Sequence, residues 1–501
     1  MKYQDLSADQ KRKVSTLGEL KKAGYTSQLI KDELRANLIK SKKEGREIFE
    51  GIWGYEDTVI PDVERAILSR HNINFLGLRG QAKTRMARMM TLLLDEVIPF
   101  VEGSPMNDDP LQPISKYARD LVEEKGDSTP ISWMHRDERY TEKLATPDVT
   151  IADLIGDVDP IKAATLKLPY SDERVIHFGL VPRAHRGIFV INELPDLQAR
   201  IQVALFNILQ EGDIQIRGFK LRMLLDVQFV FTANPEDYTN RGSIITPLKD
   251  RIDSQIITHY PSSIELGKKI THQEAALTEE QKESVEVFDL GKDLIEQIAM
   301  EARDSEYVDA KSGVSARLTI SAFENLVSSA ERRLLNSGES KTSIRLTDFI
   351  GVIPAITGKV ELVYEGEQEG AGIVANNLVG KAIKSQFLHY FPDPEKESKK
   401  EKGNLYEPIK AWFEDGNMID LLFDSSEKEY RKELQSIPGL ERLIDTHQKT
   451  SHEGFKFFLM EFALFGLSEY SVLSKHQLER GMQFKDLLSS MFSMPGLGDE
   501  E

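Results

Sequence analysis

The chain has 501 residues, too many for one compact core, and 40% hydrophobic against 29% charged residues place it among folded, soluble proteins. It has no cysteine, which excludes a disulfide scaffold, cysteine zinc sites and a cysteine nucleophile. A net charge of −18 argues against broad binding of nucleic acid or anionic membrane, and the polar opening lacks a signal peptide, so a cytoplasmic location is expected.

Residues 1–48 are charged and helical in pattern, with Leu20, Leu29, Leu34 and Ile39 on an apolar side and Gly24 as a break. They read as a charged helical N-terminal arm, solvated by default. Between 49 and 262, short apolar runs at 73–76, 188–191 and 227–232 alternate with helical patterns at 84–98 and 198–210. Such alternation predicts an α/β domain with a parallel sheet flanked by helices. Residues 263–395 read as a helical domain, and 396–501 as a further helical region of unknown role. Pro392, Pro394 and the charge run 395–402 read as an exposed connection between them. The longest apolar run, 455–467, contains Lys456 and Glu461 and is too short to span a bilayer, so a buried helix is expected.

Chemistry concentrates in the α/β region. The apolar run 73–76 leads into Gly77, Leu78, Arg79, Gly80, Gln81, Ala82, Lys83 and Thr84, and a helical pattern follows. A triphosphate needs such a turn, because small residues let backbone N–H groups close around phosphate oxygens. Lys83 is expected to reach the β- and γ-phosphates and the Thr84 hydroxyl to bind Mg²⁺. The pattern departs from G-x-x-x-x-G-K-[ST] at one position, where Ala82 replaces the second glycine.

The run 188–191 ends in Asn192 and Glu193, the shape of a Walker B strand. Glu193 is the candidate base for the attacking water. Asn192 stands where an aspartate normally holds the Mg²⁺ shell; its amide oxygen can orient a water ligand but has no charge. The competing structural reading is that this pair caps the next helix. Asn234, at the end of the third run, is a candidate for the γ-phosphate or the water (sensor 1), or else a turn residue before Pro235. Arg251 is the candidate arginine finger. Arg317, opening a helix with Ile320, Phe323 and Val327 on its apolar side, is the candidate sensor 2. The paired acids Asp108 and Asp109 read as solvated loop residues.

This order of motifs resembles the AAA+ ATPases of the helix-2-insert branch, and most closely the magnesium chelatase I subunit and its MoxR-like relatives. The segment from Ile52 to Glu56, the Ala82-Lys83 variant, the stretch from Ile151 to Pro160 and that from His177 to Gly187 carry the resemblance. Two lid-like stretches, 356–362 and 364–367, extend it, so that it covers about 50 to 390.

The resemblance implies a P-loop AAA+ parallel sheet flanked by helices (49–262), an all-α lid (263–395) and an extra helical C-terminal region (396–501). It implies Tyr55 near the adenine, and a hairpin with arms 212–216 and 219–221 joined at Arg217 and Gly218. It implies Glu193 as base, Asn234 as sensor 1, Arg251 as finger and Arg317 as sensor 2, with ATP and Mg²⁺ as cofactors.

A finger supplied in trans implies a homo-oligomeric ring, a hexamer in the family. The function expected is an Mg·ATP-hydrolysing motor subunit that remodels a partner for metal insertion or metalloenzyme maturation. No D-x-S-x-S motif occurs here, so a metal-adhesion domain is expected on a separate partner chain. Neither a membrane span nor nucleic-acid binding is expected. The alternative is a nucleotide-binding switch or scaffold with little turnover, to which Asn192 points.

Overall fold

The computed structural model describes residues 3, 6–170, 172–214, 216, 223–235, 243–400 and 403–487. The chain divides into two units, Met1–His259 and Tyr260–Glu501.

The first unit is built on five strands, β1 (Ile73–Leu76), β2 (Tyr140–Leu144), β3 (Gly187–Asn192), β4 (Val227–Ala233) and β5 (Ser254–Ile257). Their order across the sheet is β5-β1-β4-β3-β2, and every neighbouring pair is parallel. This is the α/β sheet expected. Side chains on a strand alternate between faces, and β3 shows it. Ile188 and Val190 join one apolar cluster, whereas Phe189 and Ile191 join the other. Burial on both faces makes the inner strands mainly apolar, which is why they are visible in the sequence. The edge strands β2 (Tyr-Thr-Glu-Lys-Leu) and β5 (Ser-Gln-Ile-Ile) mix polar with apolar residues and escape the same reading.

Three helices pack on the face that holds Ile188. They are α1 (Ile30–Lys43), α2 (Val59–Leu68) and α3 (Lys83–Met89). The expectation of a solvated N-terminal arm is corrected at α1. Ile30, Leu34 and Leu38 recur every four residues and are buried in the core of the unit. Glu33 is buried beside them, and its carboxylate receives two parallel bonds from Arg139 at 2.7 and 2.6 Å.

Other expectations shift as well. The pattern 84–98 is helical only as far as Leu93, where a 3₁₀ turn, Met90–Leu93, ends. Val97–Val101 is instead a strand, paired antiparallel with Ile131–His135. The pattern 198–210 divides at Leu205 into two short helices, Ala199–Ala204 and Phe206–Glu211. Asp108 and Asp109 are buried rather than solvated. Asp108 accepts from the Ile114 and Ser115 amides at 2.6 and 2.8 Å, and Asp109 pairs with Arg186 at 3.3 Å. Of the expected hairpin, Asp213–Ile214 pairs with Met223–Leu224. Residues 215 and 217–222, with Arg217, Gly218 and the second arm, lie outside the described residues.

The second unit is mainly helical around one core, to which α4 (Asp289–Arg303), α5 (Arg317–Ser337), α6 (Ala371–Tyr390) and α7 (Glu453–Glu469) contribute. The apolar run 455–467 lies in α7, which is buried around most of its circumference. Its Glu461 is fully buried and accepts from the Leu346 and Thr347 amides at 2.7 and 2.9 Å and from the Tyr430 hydroxyl at 2.8 Å. The carboxylate thus satisfies the free N–H groups at the start of the 3₁₀ helix Leu346–Val352. The C-terminal region is mainly helical, as expected, but adds a sheet that the periodicity hides. Strands β6 (Ile419–Leu422), β7 (Ser474–Leu478) and β8 (Gly481–Lys485) form it in the antiparallel order β6-β8-β7. Within the expected exposed connection, Pro394–Glu397 is a short helix whose Glu397 is buried. No helix among the described residues is long and apolar enough to cross a membrane.

Candidate functional site

In an open parallel sheet, ligands bind beyond the carboxyl ends of the strands, where the strand order reverses. Here β1 is flanked by β4 and β5, and Leu76 is level with Ala233 and with Ile257. On the other side of β4, Phe231 is level with Ile191. The residues that follow these pairs therefore emerge along one edge: Gly77 after β1, Glu193 after β3 and Asn234 after β4.

The loop after β1 turns tightly. Gly80 has φ 72°, and Ala82, the residue before α3, has φ 55°, a left-handed conformation that glycine adopts without strain. The Gln81 side chain is buried, and its carbonyl oxygen accepts from the Thr258 hydroxyl at 2.7 Å. Tyr55 is buried beneath the loop, its hydroxyl 2.8 Å from the His259 carbonyl and 3.1 Å from that of Gln81. Tyr55 thus braces the loop from below. Arg79 and Gly80 are at the exposed tip.

The loop folds back on Lys83. Its ammonium donates to the carbonyl of Gly77, to that of Leu78 at 2.8 Å and to Asn234 Oδ1 at 2.8 Å. The next residue continues the network. Thr84 Oγ1 donates to Asn192 Oδ1 at 3.2 Å, and Thr232 Oγ1 donates to the same oxygen at 3.1 Å. The Asn192 amide nitrogen donates in turn to Glu142 Oε1 at 2.5 Å. Glu142 Oε2 accepts from Arg88 at 3.0 Å and from the Tyr140 hydroxyl at 2.9 Å. The Glu142 carboxylate holds the Arg88 guanidinium above its ordinary pKa, and burial together with the same carboxylate raises that of Tyr140.

Glu193 follows directly, with φ 54° and its amide donating to Thr232 Oγ1 at 3.1 Å. A non-glycine residue in this region is strained, a feature that clusters at functional sites. Its side chain makes no capping bond to the 3₁₀ turn Leu194–Asp196, and the Asn192 side chain is committed to Thr84, Thr232 and Glu142. The geometry of a cap is therefore absent at this pair.

Arg251 makes its side-chain contacts outside this cluster. Arg251 is held by Gln210 Oε1 at 3.1 Å and the Pro247 carbonyl at 2.7 Å, with its guanidinium 5.0 Å from the Phe206 ring centroid. Arg317 opens α5 in the second unit with an exposed side chain, and its backbone amide donates to Ser315 Oγ at 3.1 Å.

Sequence reasoning missed Thr232, Thr258 and Glu142. A buried threonine ending the apolar run of β4 is a faint signal for the first. The other two lie on or just beyond the edge strands that it did not detect.

Thr84 Oγ1 and Asn192 Oδ1 are hard, uncharged oxygens converging at the start of α3, a donor set that suits Mg²⁺ when phosphates supply the remaining ligands. Among the described residues, no group of three or more histidine, aspartate or glutamate side chains is placed to hold a metal ion without them.

A family model, the Sigma-54 interaction domain, matches residues 169–257, which include β3, β4 and β5. The magnesium-chelatase 38 kDa subunit of Cereibacter sphaeroides is 27% identical over 192 residues, 38% of this chain and 51% of that protein. The chain resembles the AAA+ ATPases. Residues 169–257 of the first unit resemble an AAA+ ATPase-type domain, the similarity to a magnesium-chelatase subunit is weak, and the chain spans about half the length of that curated relative. Among solved structures, a complex of subunits BchI and BchD of magnesium chelatase is 18% identical, covering 60% of this chain and 90% of that one with a TM-score of 0.30. NtrX from Brucella abortus is 14% identical, covering 79% and 71% with a TM-score of 0.35.

Proposed function

We propose that the chain binds Mg·ATP at Lys83 and Thr84 and hydrolyses it as a ring-forming motor subunit that remodels a partner protein. One observation carries the reading: Lys83 bonds to Asn234 and the next residue, Thr84, bonds to Asn192, two pairs at the carboxyl ends of β1, β3 and β4. Lys83 binds the β- and γ-phosphates as a point charge. Thr84 and Asn192 hold Mg²⁺, which neutralises charge on the phosphate oxygens. Glu193 takes the proton of the attacking water, and Asn234 orients that water. Arg251 acts on the nucleotide of an adjacent copy. The adenine contact of Tyr55 and the sensor 2 role of Arg317 rest on the resemblance alone. So does the partner, a separate chain with a metal-adhesion domain, served by metal insertion or by metalloenzyme maturation.

Asn192 favours a second reading. Its uncharged amide is engaged by Thr84, Thr232 and Glu142, which suits a nucleotide-binding switch or scaffold with slow turnover.

Equilibrium binding of a fluorescent ATP analogue and steady-state phosphate release test both. Lys83→Ala is expected to lower affinity by about tenfold or more, the worth of a charged hydrogen bond to phosphate. Glu193→Gln is expected to bind ATP normally and release no phosphate. Wild-type binding without turnover would select the scaffold. Absence of nucleotide binding, or unchanged affinity in Lys83→Ala, overturns the assignment.

A further inference from the structure

The Asn192 amide raises a question of charge. A neutral side chain stands beside Thr84, where Mg²⁺ is proposed to bind, yet the site is not without a carboxylate. Glu142, on the neighbouring strand β2, accepts from the Asn192 amide nitrogen at 2.5 Å. The strand register brings it there, because Leu144 pairs with Asn192 and Glu142 with Val190, so the tip of β2 lies alongside the tip of β3.

This contact fixes the amide orientation. An ionised carboxylate only accepts hydrogen bonds, so the nitrogen of Asn192 must face Glu142. Its oxygen must then face Thr84 and Thr232, whose hydroxyls both donate to it. A bond to a charged acceptor is about twice as strong as a neutral one, and it polarises the amide so that the oxygen gains negative character. Thr84 and Arg88 are one helical turn apart on α3. Arg88 and Tyr140 bond to the other carboxylate oxygen, so both oxygens of Glu142 are engaged.

We propose that Glu142 supplies, from the adjacent strand, the negative charge that Asn192 lacks, and acts through the Asn192 amide as a positioning residue for the Mg²⁺ held with the triphosphate at Thr84. The inference rests on the nucleotide-binding reading above. In effect, the aspartate of the usual strand is divided here between two residues, an amide that faces the metal and a carboxylate behind it.

The test is the Mg²⁺ dependence of nucleotide binding, read with a fluorescent ATP analogue in EDTA and across a Mg²⁺ titration, and with Mn²⁺ electron paramagnetic resonance in the presence of ATP. Glu142→Gln is expected to leave the EDTA affinity within about twofold and to raise the half-saturating Mg²⁺ concentration by about tenfold or more, as loss of an outer-shell partner does at metal sites. The exchange Asn192→Asp/Glu142→Gln keeps both the charge and the hydrogen bond, with donor and acceptor reversed. It is expected to restore the wild-type Mg²⁺ midpoint and the Mn²⁺ signal.

An unchanged midpoint in Glu142→Gln overturns the proposal while leaving ATP binding intact. So does a midpoint that stays shifted in a folded exchange variant, which would mark Glu142 as merely structural. Should the single variant fail to fold, the exchange variant decides alone by the same criterion. A wild-type protein that binds no nucleotide with or without Mg²⁺ defeats the nucleotide reading itself, and Glu142 falls with it.

Discussion

Gly77 shows how closely the phosphate loop is packed. A Cβ there would lie 1.9 Å from Thr258 Oγ1 and 2.3 Å from Gln81 Oε1, the two atoms whose hydrogen bond seals the back of the loop. Gly77→Ala must push them apart, and an overpacking cost of about 1–3 kcal/mol is expected in thermal or denaturant unfolding, with weaker ATP binding. Ala82 presents the opposite case. Its left-handed φ of 55° costs an L-residue energy, yet the alanine limits the freedom of the unfolded chain. Ala82→Gly is therefore expected to change stability by less than about 1 kcal/mol and to keep nucleotide affinity. The loop was legible in the sequence because its parts are contiguous. Glu142 was not, because its partner Asn192 is 50 residues away and nothing local to a Tyr-Thr-Glu-Lys-Leu strand marks one of its residues as special.

Elements were legible where burial was complete. The three inner strands and the helix α7 announce themselves by mainly apolar runs. The edge strands and the sheet β6-β8-β7, apolar on only part of their surface, do not. The packing of α1 was hidden for another reason. Its charged composition suggests a solvated arm, while three apolar residues and one paired glutamate suffice to dock it. Glu33→Ala leaves the buried Arg139 guanidinium without its counter-charge, a loss expected to cost about 3–5 kcal/mol in denaturant unfolding.

In the second unit, burial raises the Glu296 pKa to about 7, against the opposing hydrogen bond from Thr271 and the charges of Arg303 and Lys268. The folded state holds that proton where the unfolded chain gives it up. The associated stability is present below the unfolded pKa of 4.5 and is lost as pH rises through about 7. The loss is on the order of 3 kcal/mol, and Glu296→Gln is expected to remove this slope from unfolding curves recorded between pH 4 and 8.

At the scale of the whole molecule, the phosphate cluster and Arg251 make separate contacts. The side-chain partners of Arg251, among the described residues, are Gln210, Pro247 and Phe206, whereas Lys83 bonds to Gly77, Leu78 and Asn234. An arginine held outside its own cluster suits action on a neighbouring copy. ATP turnover per chain is then expected to rise with protein concentration. Arg251→Ala is expected to keep ATP affinity and lose turnover by about a thousandfold, the contribution of a finger. Catalytically dead Lys83→Ala chains mixed with Arg251→Ala chains should recover activity, and failure of that complementation would refute action in trans.

The parallel register of the sheet has one further consequence. The backbone ladder sets Phe231 level with Ile191 and Leu144 level with Asn192, and apolar packing on both faces of β3 backs it, so the tips of β2, β3 and β4 are held at set heights. Those tips behave like adjacent mounting points on a rigid rail. A carboxylate can be moved from one mount to the next without relaying the rail, and a motif searched for on one strand can be present on the strand beside it.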